Sequence, residues 1–133
     1  MRHADALLLK PDQEDYERSL SPKGKKQSKE KAQELKARKI SFDAIFTSPY
    51  LRANQTADII AKTLGIEAKI SPEPLLLPGC DFGDLMEIID YYPDYENVLV
   101  VGHEPDLSSI AAQFLDLEEP KPLKTAEIVE IEI

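Results

Sequence analysis

Hydrophobic positions along the chain follow two spacings, and the switch between them marks out the elements. Asn97-Val98-Leu99-Val100-Val101-Gly102 is the clearest apolar run. It has no polar break, which predicts a strand buried on both faces, as in a parallel sheet covered by helices. Phe42–Thr47 is a second run rich in aromatic and branched residues, and Ile66–Ile70 a third. Thr125–Ile133 alternates instead, with Val129, Ile131 and Ile133 on one side and Glu130 and Glu132 on the other. That pattern predicts a half-exposed strand near a sheet edge.

Between these runs the spacing is helical. Ala53, Thr56, Ala57, Ile60 and Leu64 recur on one face, and Gly65 stops the helix. Leu85, Ile88, Ile89 and Tyr92 predict a helix over 84–92, ended by Pro93. Leu107, Ile110, Ala111 and Phe114 predict another, running to about Leu115. Ser21-Pro22 reads as a cap and first helical position. The helix behind it runs to about Lys39, with a thin stripe of Ala32, Leu35 and Ile40. Lys23, Lys25 and Lys26 fall in its first turn, where the macrodipole disfavours cations. It reads as a mostly solvated helix. Pro11–Leu20, the proline-rich Ser71–Asp81 and Glu118–Lys124 read as connections. Strands alternating with helices predict a layered α/β fold.

The chain has 133 residues, which suggests a single domain over 1–133. Its net charge of -9 argues against a nucleic-acid partner, which would need a basic face. No apolar run approaches the ~20 residues of a membrane span. Met1 is followed at once by Arg2 and His3 rather than by a leader, and Cys80 is the lone cysteine. Both point to a reducing, cytoplasmic setting. No cation neighbours Cys80 in sequence, so it reads as structural rather than reactive.

The chemistry concentrates in three short stretches: Arg2-His3-Ala4-Asp5, Ser48-Pro49-Tyr50-Leu51-Arg52 and Gly102-His103-Glu104-Pro105. The chain has only two histidines, one in the first stretch and one in the last. Ser48 and His103 fall at the ends of predicted strands, where open α/β sheets bind ligands. Two imidazoles and two guanidiniums suit a phosphoryl group. A neutral imidazole can attack phosphorus and leave again, and guanidinium forks match phosphate oxygens in pairs. No Cys/His cluster suggests a metal, and no metal or other cofactor is needed if two arginines carry the charge.

These motifs, in this order, resemble the histidine phosphatase superfamily, which includes the cofactor-dependent phosphoglycerate mutases. The short length, the Ser48–Ala57 segment and the Thr125-Ala126 ending look most like its small SixA-type phosphohistidine phosphatase branch. The resemblance implies a three-layer α/β/α sandwich of the phosphoglycerate mutase type. It implies His3 as nucleophile, with Arg2, Arg52 and His103 as holders of the phosphoryl oxygens and Ser48 beside them. It implies a phosphatase acting through a phosphohistidine intermediate on a phosphohistidine-bearing protein. The alternatives are a small-molecule phosphomonoesterase or mutase-like enzyme of the same fold, or a catalytically impaired phosphate-binding protein. No insertion between Arg52 and His103 is large enough to form a lid, which favours a protein substrate.

Two departures stand out. The general acid of the mutase branch has no secure counterpart; Glu73, Asp81 and Glu104 are candidates by chemistry alone. The family also places a central strand before its Arg-His pair, whereas only Met1 precedes it here. The expectation is therefore about six further upstream residues, the length of an ordinary strand, or a substitute strand drawn from Ala4–Leu9.

Overall fold

The computed structural model describes residues 1–133. Three parallel strands form the sheet: β1 (Ala44–Thr47), β2 (Ile70–Pro72) and β3 (Val98–Val101), in the order β2-β1-β3. Four helices cover it: α1 (Pro22–Ala37), α2 (Leu51–Leu64), α3 (Phe82–Tyr91) and α4 (Asp106–Phe114). Successive side chains of a strand point to opposite faces, so β1 and β3 each feed two apolar clusters. Ile45, Leu99 and Val101 pack with Ala32 and Leu35 of α1 and Ala53, Ala57 and Ile60 of α2. Ala44 and Phe46 pack with Leu85 and Ile88 of α3 and Ile110 of α4. The result is the three-layer α/β/α arrangement expected from the sequence.

Local chemistry explains most boundaries. Ser21 caps α1 by accepting from the Gly24 N–H, with Pro22 at the first helical position. Asp81 and Asp84 form a reciprocal capping box at the start of α3. Gly65 ends α2 in the left-handed conformation at φ 70°, which costs glycine nothing.

Three expectations need correction. Ile66–Ile70 is not a strand: Glu67–Lys69 is a 3₁₀ turn, and the strand is Ile70–Pro72. The turn is exposed, and the Lys69 ammonium donates to the Phe42 carbonyl at 2.9 Å. Thr125–Ile133 forms no strand. Val129 and Ile131 are half-buried between the exposed Glu130 and Glu132, while Ile133 is exposed; alternation reports which face is apolar, not whether a ladder partner lies within reach. A cavity of about 690 Å³ separates Val98–Val100 from Val129–Ile133. Ala4–Leu9 supplies no substitute strand either. It makes one isolated bridge, Ala6 to Leu20, and leaves Leu8 86% exposed.

What seats the N-terminus is Met1–His3 itself. The Gly102 N–H donates to the Met1 carbonyl at 3.1 Å and the His3 N–H to the Gly102 carbonyl at 3.0 Å. On the other side, the Arg2 N–H donates to the Glu127 carbonyl and the Ala126 N–H to the His3 carbonyl. The short segment is thus bonded on both flanks beside the end of β3.

Helix α1 sits against the backbone just past His3. A Cβ on Gly24 would lie 2.0 Å from the Asp5 carbonyl oxygen. Backbone cannot yield as a side-chain tip does, so Gly24→Ala is expected to destabilise the protein by about 1–3 kcal/mol, the usual cost of overpacking. Urea unfolding measures this; an unchanged midpoint would show that α1 is free to shift.

Candidate active site

The site forms where β1 and β3 end. β1 delivers Ser48, whose N–H donates to the Val101 carbonyl at 3.0 Å. β3 delivers Gly102 and His103. A Cβ on Gly102 would meet the Leu107 side chain of α4 at 3.4 Å, which places the His103 turn in close packing with that helix. Arg52 stands in the first turn of α2.

Ser48 does not cap α2 as its Ser-Pro signature suggests. The cap residue is Tyr50, and its side chain makes no capping bond. The Ser48 hydroxyl is instead turned to His103 Nε2 at 2.7 Å and accepts the Tyr50 N–H at 3.2 Å. The hydroxyl orients an imidazole, a use that a local capping rule cannot foresee.

His3 and His103 lie with ring centroids 5.4 Å apart, both buried. The partners of His3 define its tautomer. A carbonyl only accepts, so His3 Nδ1 carries the proton that is donated to Ala4 O at 2.7 Å. His3 Nε2 is then a lone pair, and it accepts from Arg52 Nε–H at 3.3 Å. Arg52 is 6% exposed and fully engaged: its two other nitrogens reach the Asp15 carbonyl at 2.8 Å and the Asp15 carboxylate at 3.1 Å. Its guanidinium also lies 5.1 Å from the centre of the Tyr50 ring, within cation–π range.

Arg2 is placed differently from the other four. No hydrogen bond joins it to them; its Nη1 donates to the Leu123 carbonyl at 2.9 Å. The Leu123 N–H in turn donates to the Glu104 carboxylate, whose second oxygen accepts the Ser108 N–H. Glu104 thereby ties the His103 turn to the loop that holds Arg2. Arg2 Nε and His103 Nδ1 are the only buried side-chain polar atoms without a partner, and both belong to this cluster.

Burial dominates the electrostatics. It pushes the His3 pKa down to about 4, with the Arg52, Arg2 and Arg18 charges acting in the same direction and the bond to Ala4 against them. His103 is likewise lowered to about 4, first by burial and then by His3 and Arg52. Asp15 moves below the usual carboxylate range, because its bonds to Arg52 and Arg18 outweigh the effect of burial.

Two contributors were not visible as such in the sequence. Thr56 was read as one position in the apolar stripe of α2. Its hydroxyl accepts the Ala4 N–H at 3.1 Å and donates to the Arg52 carbonyl at 2.7 Å, linking the two halves of the site. Asp15 lay in a connection with Asp12, Glu14 and Glu17, where nothing singled it out. Of the three acid candidates, Asp81 is spent as a helix cap and Glu104 on two backbone N–H groups. Glu73 makes no side-chain bond; its own N–H donates to the Thr47 carbonyl, next to Ser48.

The model of the histidine phosphatase superfamily (branch 1) matches residues 1–87. This chain belongs to the histidine phosphatase superfamily. An uncharacterized protein of Picosynechococcus sp. is 34% identical over 116 residues, covering 83% of this chain and 67% of that protein. The phosphohistidine phosphatase SixA of Escherichia coli is 29% identical over 133 residues, covering 98% of this chain and 81% of SixA. Among solved structures, the protein histidine phosphatase SixA complexed with tungstate superposes with a TM-score of 0.85 at 29% identity, over 94% of this chain and 80% of that one. An α-ribazole-5′-P phosphatase of Escherichia coli shares the fold, at 16% identity and a TM-score of 0.67, over 88% of this chain and 78% of that one.

Histidine ionisation sets a stability profile for this histidine phosphatase. Unfolded, each ring takes up its proton near pH 6.5; folded, it does so only near 4. Between those values the unfolded chain binds more protons, so acidification favours it. The histidines' contribution to the melting temperature is expected to be constant above pH 6.5 and to fall as pH drops from 6.5 toward 4. His103→Gln should flatten part of that fall; an identical slope in the variant would mean that His103 titrates normally.

Proposed function

We propose that this chain is a phosphohistidine phosphatase that works through a phosphohistidine of its own on His3. The observation carrying this reading is the His3 ring: one nitrogen is committed to Ala4 O, and the other presents a lone pair beside a buried arginine. That is the protonation a nucleophilic imidazole needs. The relatives named phosphohistidine phosphatase support the same reading, as does the tungstate held by one of them, since tungstate is a phosphate-like oxyanion.

The steps follow from the groups present. His3 Nε2 attacks phosphorus; the new N–P bond forms as the bond to the substrate imidazole, already protonated on its other nitrogen, breaks, and a neutral imidazole leaves. Water then attacks the phosphorylated His3. The N–P bond breaks, His3 recovers its lone pair, and inorganic phosphate departs. Arg52, Arg2 and His103 hold the phosphoryl oxygens. Arg52 lies at a helix start, where free backbone N–H groups also favour an anion. Burial keeps His103 neutral, and an arriving phosphate dianion favours its protonation. The phosphohistidine substrate follows from the leaving group: a protonated imidazole departs without the strong acid that an alcohol requires.

One observation favours a second reading, hydrolysis of a small phosphomonoester. The Glu73 carboxylate is uncommitted and its backbone adjoins the Thr47–Ser48 turn, where an acid could protonate an alcohol.

Brief exposure to a labelled phosphodonor should leave acid-labile label on His3. His3→Ala is expected to abolish both label and turnover while the protein stays folded, as a retained cooperative melt would show; turnover above a trace would end the covalent mechanism. Arg52→Lys replaces a fork by a point charge. It should lower kcat/KM on phosphorylated imidazole by on the order of a hundredfold, as loss of one preorganised donor does elsewhere. An unchanged kcat/KM would remove Arg52 from the site.

A further inference from the structure

The α1 helix breaks a rule of helix design at the end nearest the site. Between Lys23 and Lys39 lie eight of the 16 Lys and Arg residues and only two of the 25 Asp and Glu residues. That is an excess of six positive charges in a chain of net charge -9. The first turn carries no acidic residue, although acids are favoured there and cations are not. Lys23, Lys25 and Lys29 are exposed and form no ion pair, whereas Lys26 and Lys31 pair with Glu30 and Glu34 within the helix. The helix buries only Gly24, Ser28, Ala32 and Leu35, so the core does not demand these lysines.

Their position gives them a use. The α1 cap, Ser21, is bonded to Asp5, two residues from His3: its N–H donates to the Asp5 carbonyl at 3.0 Å and its hydroxyl to the carboxylate at 2.6 Å. Arg18, just before the cap, holds the Leu7 carbonyl and the Asp15 carboxylate, and Asp15 holds Arg52. In chain order the cationic start of α1, Lys23 and Lys25, follows Arg18, which shares the Asp15 carboxylate with Arg52.

We propose that the N-terminal end of α1, through Lys23, Lys25 and Lys29, docks an acidic surface of the protein that carries the phosphohistidine. This rests on the phosphohistidine phosphatase reading and adds the character of its partner. A nucleic acid is the poorer fit, because the chain outside this helix is strongly acidic and would repel a long polyanion. A compact acidic patch beside one phosphorylated residue meets only the helix. Complementary charge of this kind acts mainly on encounter and on the choice of partner.

The test compares three substrates: phosphoramidate, a glutamate-rich phosphohistidine peptide, and the same peptide with glutamines in place of the glutamates. For the unaltered chain the glutamate peptide should show a KM about tenfold lower at ~0.05 M salt, as expected for two or three exposed charge pairs. The gap should close by ~0.5 M salt. In the K23E/K25E variant it should vanish while phosphoramidate turnover stays the same. The melting temperature should not fall, because glutamate suits a first helical turn. Equal KM for the two peptides, or a gap that survives in the variant, overturns the proposal. So does a single-stranded oligonucleotide that competes as well as a non-phosphorylated glutamate peptide, since the helix would then be a general polyanion site. Failure to turn over phosphoramidate would instead count against the phosphatase reading.

Discussion

The site depends on how the backbone around His3 is tied down. Four backbone hydrogen bonds hold Met1–Ala4 between the β3 end at Gly102 and the Ala126–Glu127 segment, and the Thr56 hydroxyl takes the remaining Ala4 N–H. With the main chain fixed, the Ala4 carbonyl becomes a fixed acceptor, and the His3 proton must sit on Nδ1. The tautomer is thus fixed from both sides of the ring, by the placed Ala4 carbonyl and by the Arg52 Nε–H that Nε2 accepts. Thr56 extends the constraint by binding the Arg52 carbonyl as well, so the lone pair and the guanidinium facing it share one brace.

Burying Arg52 at 6% exposure is costly unless its nitrogens find acceptors, and each of the three has one: His3, the Asp15 carbonyl and the Asp15 carboxylate. The same desolvation keeps both imidazoles neutral. Low dielectric and concentrated positive charge therefore act together: each raises the penalty for a further cation and strengthens the pull on an anion.

Much of this was legible because the signals were local. The run at Val98–Val101, the helical spacing at Ala53–Ile60 and the Ser21-Pro22 cap each state their structure within a few residues. Ser48, Arg52 and His103 stood out as candidates because each sits at a predicted strand end or helix start, and His3 because it follows Arg2 in a chain with only two histidines. What was not legible depended on distant neighbours. The Ser48 hydroxyl had a capping role available nearby and a better partner 55 residues away. Asp15 was one of several carboxylates in a connection, chosen only by where that connection comes to rest over Arg52. Thr125–Ile133 has the alternation of a strand, yet it bonds Arg2 and His3 only through Ala126 and Glu127 and extends no ladder beyond them, which no pattern within the segment reveals.

The Asp15 carboxylate has a further consequence for traffic through the site. It is half-exposed and rests on the arginine that an incoming oxyanion would use. Any such anion gains only the difference between its own bonds to Arg52 and those it displaces. A carboxylate on a short turn can return to the guanidinium as soon as an anion loosens its hold. That lowers the residence time of a weakly held anion more than that of one gripped at several points. The cluster is therefore better suited to releasing free phosphate than its density of positive charge suggests.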